Sequence, residues 1–137
     1  MSEKPKRLLP LVTPENQHYW TGGAHGELRL LRCDACQHYV HPPSPVCPEC
    51  LSRELSPARV SGRAELLTYT TNHQPWLPGF PPPYVVGIVA IAEQPSLRIT
   101  TNIVNCAPDE LRIGMPLRVC FEACDDVWLP LFEPEQA

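Results

Sequence analysis

Two cysteine pairs constrain this chain more than any other feature: Cys33-Asp34-Ala35-Cys36 and, ten residues further on, Cys47-Pro48-Glu49-Cys50. At this separation two C-x2-C knuckles let four thiolates converge on one tetrahedral ion, in a module too short to fold on apolar burial alone. Cys33, Cys36, Cys47 and Cys50 are therefore expected to hold a structural metal. Zinc is the first choice, because a closed thiolate site leaves no position for a substrate and zinc has no redox chemistry. Iron in a rubredoxin-like electron carrier is the rival, since soft tetrahedral sulfur sites accept it too. His38 and His41 lie between the pairs, but four cysteines already satisfy an ion. Both histidines read as part of a loop stiffened by Pro42, Pro43 and Pro45.

Outside the knuckles, 137 residues suit one modest core beside the metal module. The net charge of -4 supplies no positive field for a nucleic-acid backbone, so nucleic acid is not expected as a partner. No apolar run reaches the roughly 20 residues of a membrane span, and a reducing, cytoplasmic setting is expected. Seven cysteines, an odd number with four in tight pairs, fit metal ligation there better than a disulfide framework. The other three, Cys106, Cys120 and Cys124, read as packed, inert thiols.

The expected fold is mainly β: a short N-terminal helix, a zinc ribbon and a five-stranded OB-fold barrel. The division is residues 1–26 for tail and helix, 27–55 for the ribbon, and 56–137 for the barrel with a C-terminal tail. Thr13-Pro14-Glu15 offers an N-cap hydroxyl, a proline at the first helical position and an acid in the first turn, predicting a helix from Pro14 to about Thr21. Gly22-Gly23 is expected to end it, and Glu27–Arg32 leads as a strand into the first knuckle. The barrel strands are expected at Ala58–Val60, Arg63–His73, Tyr84–Ala92, Leu97–Val104 and Leu117–Ala123, with a short tail strand at Val127–Phe132. Leu97, Ile99 and Ile103 alternate with Arg98, Thr100 and Asn102, as do Leu117, Val119 and Phe121 with Arg118, Cys120 and Glu122, giving one buried face each. Tyr84–Ala92 is almost continuously apolar, as a central strand covered on both sides would be, and Gly87 within it marks a bulge or bend.

The order of these features resembles the family that joins an N-terminal rubredoxin-like zinc ribbon to a C-terminal OB fold and serves acyl-CoA enzymes. The resemblance rests on His18-Tyr19-Trp20, Leu30-Leu31-Arg32-Cys33-Asp34-Ala35-Cys36, His41-Pro42-Pro43 and Cys47-Pro48-Glu49-Cys50. It continues through Gly62, Leu67, Tyr69 and Thr70, then Pro83-Tyr84-Val85-Val86-Gly87 and Ile113-Gly114-Met115-Pro116-Leu117. It implies a non-catalytic accessory subunit of a thiolase-like enzyme: a thiolase, a lipid-transfer-type thiolase or a retro-aldolase, with steroid side-chain degradation as the first branch. Some relatives are linked instead to acyl-CoA hydratases. Acyl-CoA would then be a ligand of the complex, in a passage this chain helps to shape. Two departures stand out: Gln37 and Leu51 follow the second cysteine of each knuckle, where glycine is common, so backbone strain is expected there.

No triad, phosphate loop or HExxH pattern is present, so catalysis by this chain alone is not expected. The stretch from His73 to Tyr84, with Trp76 and Phe80 held among prolines, offers rigid aromatic anchors for a partner or for the acyl-CoA passage. Tyr19 and Trp20 are candidates for the same interface, because a short helix ahead of a small ribbon has little core to enter. Lys4, Lys6 and Arg7 read as a solvated tail. The competing reading is a single-stranded nucleic-acid binder, since OB barrels and ribbons are both used for that purpose. Its weakness is that Arg63, Arg98, Arg112 and Arg118 are scattered among acidic positions.

Overall fold

The structure, a computed structural model, describes residues 8–77 and 79–135. Lys4, Lys6 and Arg7 lie outside the described residues. Helix α1 (Gln17–Thr21) runs into a 3-10 turn, Gly22–His25, and both precede a three-stranded antiparallel sheet. The sheet consists of β1 (Leu28–Cys33), β2 (Tyr39–Val40) and β3 (Leu55–Val60) in the order β2-β1-β3. A closed barrel follows, built from β4 (Arg63–Asn72), β5 (Tyr84–Ile91), β6 (Gln94–Ile103), β7 (Pro116–Cys124) and β8 (Val127–Pro134) in the order β4-β5-β6-β8-β7.

Two strands change place relative to the sequence expectation. Ala58–Val60 belongs to β3, which pairs along β1 from Leu28↔Val60 to Cys33↔Leu55, so it extends the ribbon instead of opening the barrel. The fifth barrel strand is the tail segment, β8, which pairs with all of β7 from Leu117↔Pro134 to Cys124↔Val127. The physical reason is burial: Leu131 and Phe132 are buried, Phe132 completely, and only a full member of the barrel places such side chains inside. The alternation read in β6 holds, with Leu97, Ile99 and Ile103 in the core. In β7 Leu117 is fully buried, while Val119 and Phe121 are half-covered and pack against the core from outside. Gly87 is not a bulge; the register slips fall at Leu66/Thr68 and Ala90/Ile91. A Cβ at Gly87 would lie 2.9 Å from Ile103 Cγ1, so glycine is needed there to make room for a side chain of the neighbouring strand.

The N-terminal helix is also shorter than expected. The Thr13 carbonyl accepts from Asn16 N–H and Gln17 N–H, and the Asn16 side chain accepts from Thr13 N–H at 2.7 Å, which makes a turn of the Thr13–Asn16 segment and delays the helix to Gln17. Gly22 and Gly23 continue it as the 3-10 turn, and Gly26, at φ 69°, terminates it. Tyr19 is buried in the core, where the sequence favoured an interface. The helix packs on β1 and β8 together, and this corner of ribbon and barrel gives the ring a core to enter.

Barrel closure is least complete between β6 and β8. These strands are parallel and pair only at Ile103↔Phe132, where Val104 N–H donates to the Phe132 carbonyl at 2.9 Å. Continuing the ladder upstream past the Pro130 carbonyl would require Pro130 to donate an N–H to the Thr100 carbonyl, and proline has none. The Thr101 hydroxyl donates to the Pro130 carbonyl at 3.1 Å instead, and the strands part.

Ribbon and barrel are joined by Gln94, which begins β6. Its side-chain amide donates to the Tyr39 carbonyl at 2.9 Å and accepts from the Tyr39 N–H at 2.9 Å, imitating one more peptide unit beside β2. Gln94→Ala leaves both backbone groups unpaired in a half-buried joint. The expected loss is about 1–3 kcal/mol of unfolding free energy, measured by urea denaturation at saturating zinc.

Candidate metal centre and the seam beside it

The four knuckle sulfurs meet at the end of β1. All lie within 4.8 Å of one another, with Cys33 Sγ 3.5 Å from Cys50 Sγ and Cys36 Sγ 3.6 Å from Cys47 Sγ. Zinc–sulfur bonds of about 2.3 Å in a tetrahedron place sulfurs about 3.8 Å apart, so the donor set and its spacing fit a closed structural zinc site. The two loops are built alike. Gln37 N–H donates to the Cys33 carbonyl and Leu51 N–H to the Cys47 carbonyl, both at 2.9 Å. Gln37 and Leu51 each sit at φ 65°, the left-handed region that the missing glycines led us to expect. Cys33 and Cys47 are buried, and Cys36 and Cys50 are exposed.

Backbone amides prepare this site for anionic sulfur. The Cys36 N–H donates to Cys33 Sγ at 3.5 Å, and such bonds draw the Cys33 pKa down to about 7. At Cys36 an N–H from the His38 backbone also favours the thiolate. Lost hydration and the neighbouring sulfurs outweigh it and push the pKa up to about 12. One negative sulfur thus opposes the next, and a divalent cation removes that conflict by displacing the protons.

Neither loop histidine is part of the sulfur cluster. His38 faces Glu49 at 4.0 Å. The His41 ring packs against Tyr19, centroid to centroid at 4.7 Å, and Tyr19 in turn meets Trp20 edge-on at 4.7 Å. This stack carries α1 onto the ribbon. Burial and then the charge of His18 lower the His41 pKa to about 4, while burial and then Arg29 lower that of His18. His41 Nδ1 and His18 Nε2 are buried without hydrogen-bond partners.

The aromatic candidates divide into two groups. Tyr19, Trp20 and Phe80 share a groove of about 380 Å³ over the open seam, with Leu8, Thr100 and Leu129 among its other walls. His73 and Trp76 stand outside it on the connecting loop. Trp76 is 72% exposed, yet its indole N–H donates to Asn72 Oδ1 at 3.0 Å, and the same side chain ties down Gln74. Tyr84, at the start of β5, packs against Phe80 with ring centroids 5.6 Å apart. Sequence reasoning missed the seam residues, Thr100 to Asn102 and Leu129 to Leu131; the available signal was Pro130 inside an otherwise regular strand. Two of the remaining thiols, Cys106 and Cys120, are poor nucleophiles. Burial first, then carboxylates, raises the pKa of Cys106, and burial and Glu133 raise that of Cys120 to about 11.

Comparison with known proteins agrees with this architecture. Residues 20–56 match the ChsH2 rubredoxin-like zinc ribbon domain, and residues 58–122 the ChsH2 C-terminal OB-fold domain. The chain is 36% identical over 135 residues to a probable enoyl-CoA hydratase alpha subunit of Thermomonospora curvata, covering 96% of this chain and 42% of that one. It is 28% identical over 129 residues to the 3-oxo-4,17-pregnadiene-20-carboxyl-CoA hydratase alpha subunit of Mycobacterium tuberculosis, covering 94% of this chain and 40% of that one. It therefore spans about two-fifths of the length of these relatives. A chain of the solved Ltp2-ChsH2(DUF35) aldolase superposes with a TM-score of 0.83 at 35% identity, covering 92% of this chain and 98% of that one.

Cys47→Ser should reduce bound zinc from about one ion per chain to near zero and release the protection of ribbon amides, read by metal analysis and hydrogen exchange. The His41 shift generates a pH prediction. A histidine that is neutral when folded and free to charge when unfolded gives full stability above its unfolded pKa near 6.5, lost as pH falls toward about 4. The melting temperature of the zinc-loaded chain should fall across that window, and His41→Gln should flatten the fall relative to the parent.

Proposed function

We propose, starting from the fact that this chain belongs to the ChsH2 (DUF35) family of zinc-ribbon and OB-fold proteins, that it is a non-catalytic accessory subunit of a thiolase-like acyl-CoA enzyme. The observation that carries this reading is the chain's likeness both to part of hydratase alpha subunits and, over nearly its whole length, to a component of an aldolase. Hydration and carbon–carbon cleavage need different catalytic groups, so what the two assemblies share serves the complex and not one reaction. The electrostatics agree: four of the seven cysteines gather at one metal site, and the thiols of Cys106 and Cys120 are held protonated.

In this role the zinc holds the ribbon rigid, and the aromatic loop supplies anchors for the enzyme subunit or for the pantetheine arm of its acyl-CoA. Trp76 is suited to this task because Asn72 fixes the indole before docking, which reduces the entropy lost on binding. A lipid-transfer-type thiolase acting as a retro-aldolase is the preferred partner. The pregnadiene-carboxyl-CoA named for the M. tuberculosis relative makes steroid side-chain shortening the first branch to assay. The nucleic-acid alternative fits less well. Arg63 pairs with Glu135 at 2.7 Å and Arg118 with Glu133 at 3.5 Å, leaving a balanced surface in place of a basic groove.

Affinity purification from native extract should recover a stoichiometric thiolase-like chain, and acyl-CoA cleavage by the eluate should fall when this chain is removed. Recovery of the zinc-loaded chain alone would overturn the proposal. Within the complex, Trp76→Ala should weaken association at least about tenfold, measured by titration calorimetry, with zinc content unchanged.

A further inference from the structure

We propose that an extended segment of the enzyme subunit docks in the open seam between β6 and β8 by adding a strand to the free edge of β6. This rests on the accessory-subunit reading and names the surface through which it operates. Because Asn102 and Val104 flank the Phe132 pairing, the even-numbered residues of β6 turn their N–H and C=O groups toward β8. Upstream, Thr100 and Arg98 direct theirs to the same side, where Pro130 cannot continue the ladder and β6 has no further β8 pairing among the described residues. The edge is a template for main-chain hydrogen bonds that the barrel itself cannot complete.

The surroundings suit one extended, largely apolar segment. None of the residues lining the 380 Å³ groove is charged, in a chain with 19% charged residues. Apart from Thr100, Thr101 and Asn102 of β6 itself its lining is apolar or aromatic, Trp20, Phe80 and Leu129 included, and Leu8 is 74% exposed. Toward the ribbon, a second groove of about 590 Å³ between Pro42, Pro48 and Arg98 borders the same strand. The edge is thus bordered by open space from Ser96 to Asn102, seven residues or about 23 Å of extended chain. At the far end the side-chain amide of Gln94 pairs with the Tyr39 backbone.

An enzyme segment is a better occupant than a second copy. The edge is recessed between the ribbon loop on one side and the helix and aromatic loop on the other, and the β6 of another copy is recessed in the same way. Two such edges cannot reach each other, whereas a single extended strand can enter.

The test compares amide exchange in the zinc-loaded chain alone with that in its complex with the thiolase-like subunit recovered by affinity purification. Thr100 N–H should exchange at least about tenfold more slowly in the complex, while β7 amides are unchanged. Thr100→Pro removes that N–H, and Leu129→Asp places a charge in the neutral groove while sparing the strand backbone. Each should weaken the complex at least about tenfold with zinc content and melting temperature preserved. A complex that forms with Thr100 exchange unchanged, or that Leu129→Asp leaves at parental affinity, overturns the seam proposal and leaves the accessory role standing. Protection already present in the chain alone also overturns it, assigning the seam to a second copy if concentration-dependent and to the chain's own N-terminal residues if not. Failure to recover any enzyme subunit overturns the accessory role, and the seam proposal with it.

Discussion

Four cysteine sulfurs drawn onto one ion are the constraint on which the rest of this structure depends. The ribbon is a sheet whose middle strand ends in a ligand, Cys33, and whose loops close on themselves through paired amide bonds at Gln37 and Leu51. Two residues held at positive φ would relax without the metal to hold the loops together. Because the loops are held, Tyr39 and His41 are held too, and these residues reach beyond the ribbon. Tyr39 meets Gln94 of the barrel, and His41 meets Tyr19 of the helix. The metal site thereby fixes the corner where helix, ribbon and barrel meet.

That corner explains why the barrel can remain partly unzipped. An isolated sheet edge invites uncontrolled pairing, and proteins cover or shorten such edges. Here α1 and Phe80 line one groove beside the seam and the ribbon loop lines another, so the free edge of β6 is recessed and not a flat ribbon. The Thr101 hydroxyl satisfies the Pro130 carbonyl at the point where the strands separate, which limits the cost of opening. The result is a neutral, apolar channel beside unpaired backbone, a combination suited to recognising another polypeptide and poorly suited to acid–base or nucleophilic chemistry.

How much of this was legible beforehand depended on how local the determinant is. The metal ligands could be read from spacing alone, because the two residues between cysteines set the loop geometry. The strain at Gln37 and Leu51 followed from the same positions, and the buried face of β6 followed from alternation. In contrast, Ala58–Val60 looked like a barrel strand and Val127–Phe132 like a tail. Choosing a strand's neighbour depends on which edges remain unpaired elsewhere, and no window of sequence carries that information. The burial of Tyr19 was hard to read for the same reason: a five-residue helix has no core of its own, but it lies across β1 and β8, built by other segments.

By itself, then, the sequence determined the elements whose physics is short-range: the sulfur cluster, the left-handed knuckle residues, the alternating strands and the turns between them. The tertiary structure alone decided which strand closes the barrel, where the helix docks, and that Pro130 falls opposite Thr101, so that the Thr100 carbonyl finds no N–H and the β6 edge stays open. A proline in a strand announces a missing N–H in any sequence. Which carbonyl goes without its partner is settled only when two strands, separated by the whole of β7, are laid side by side.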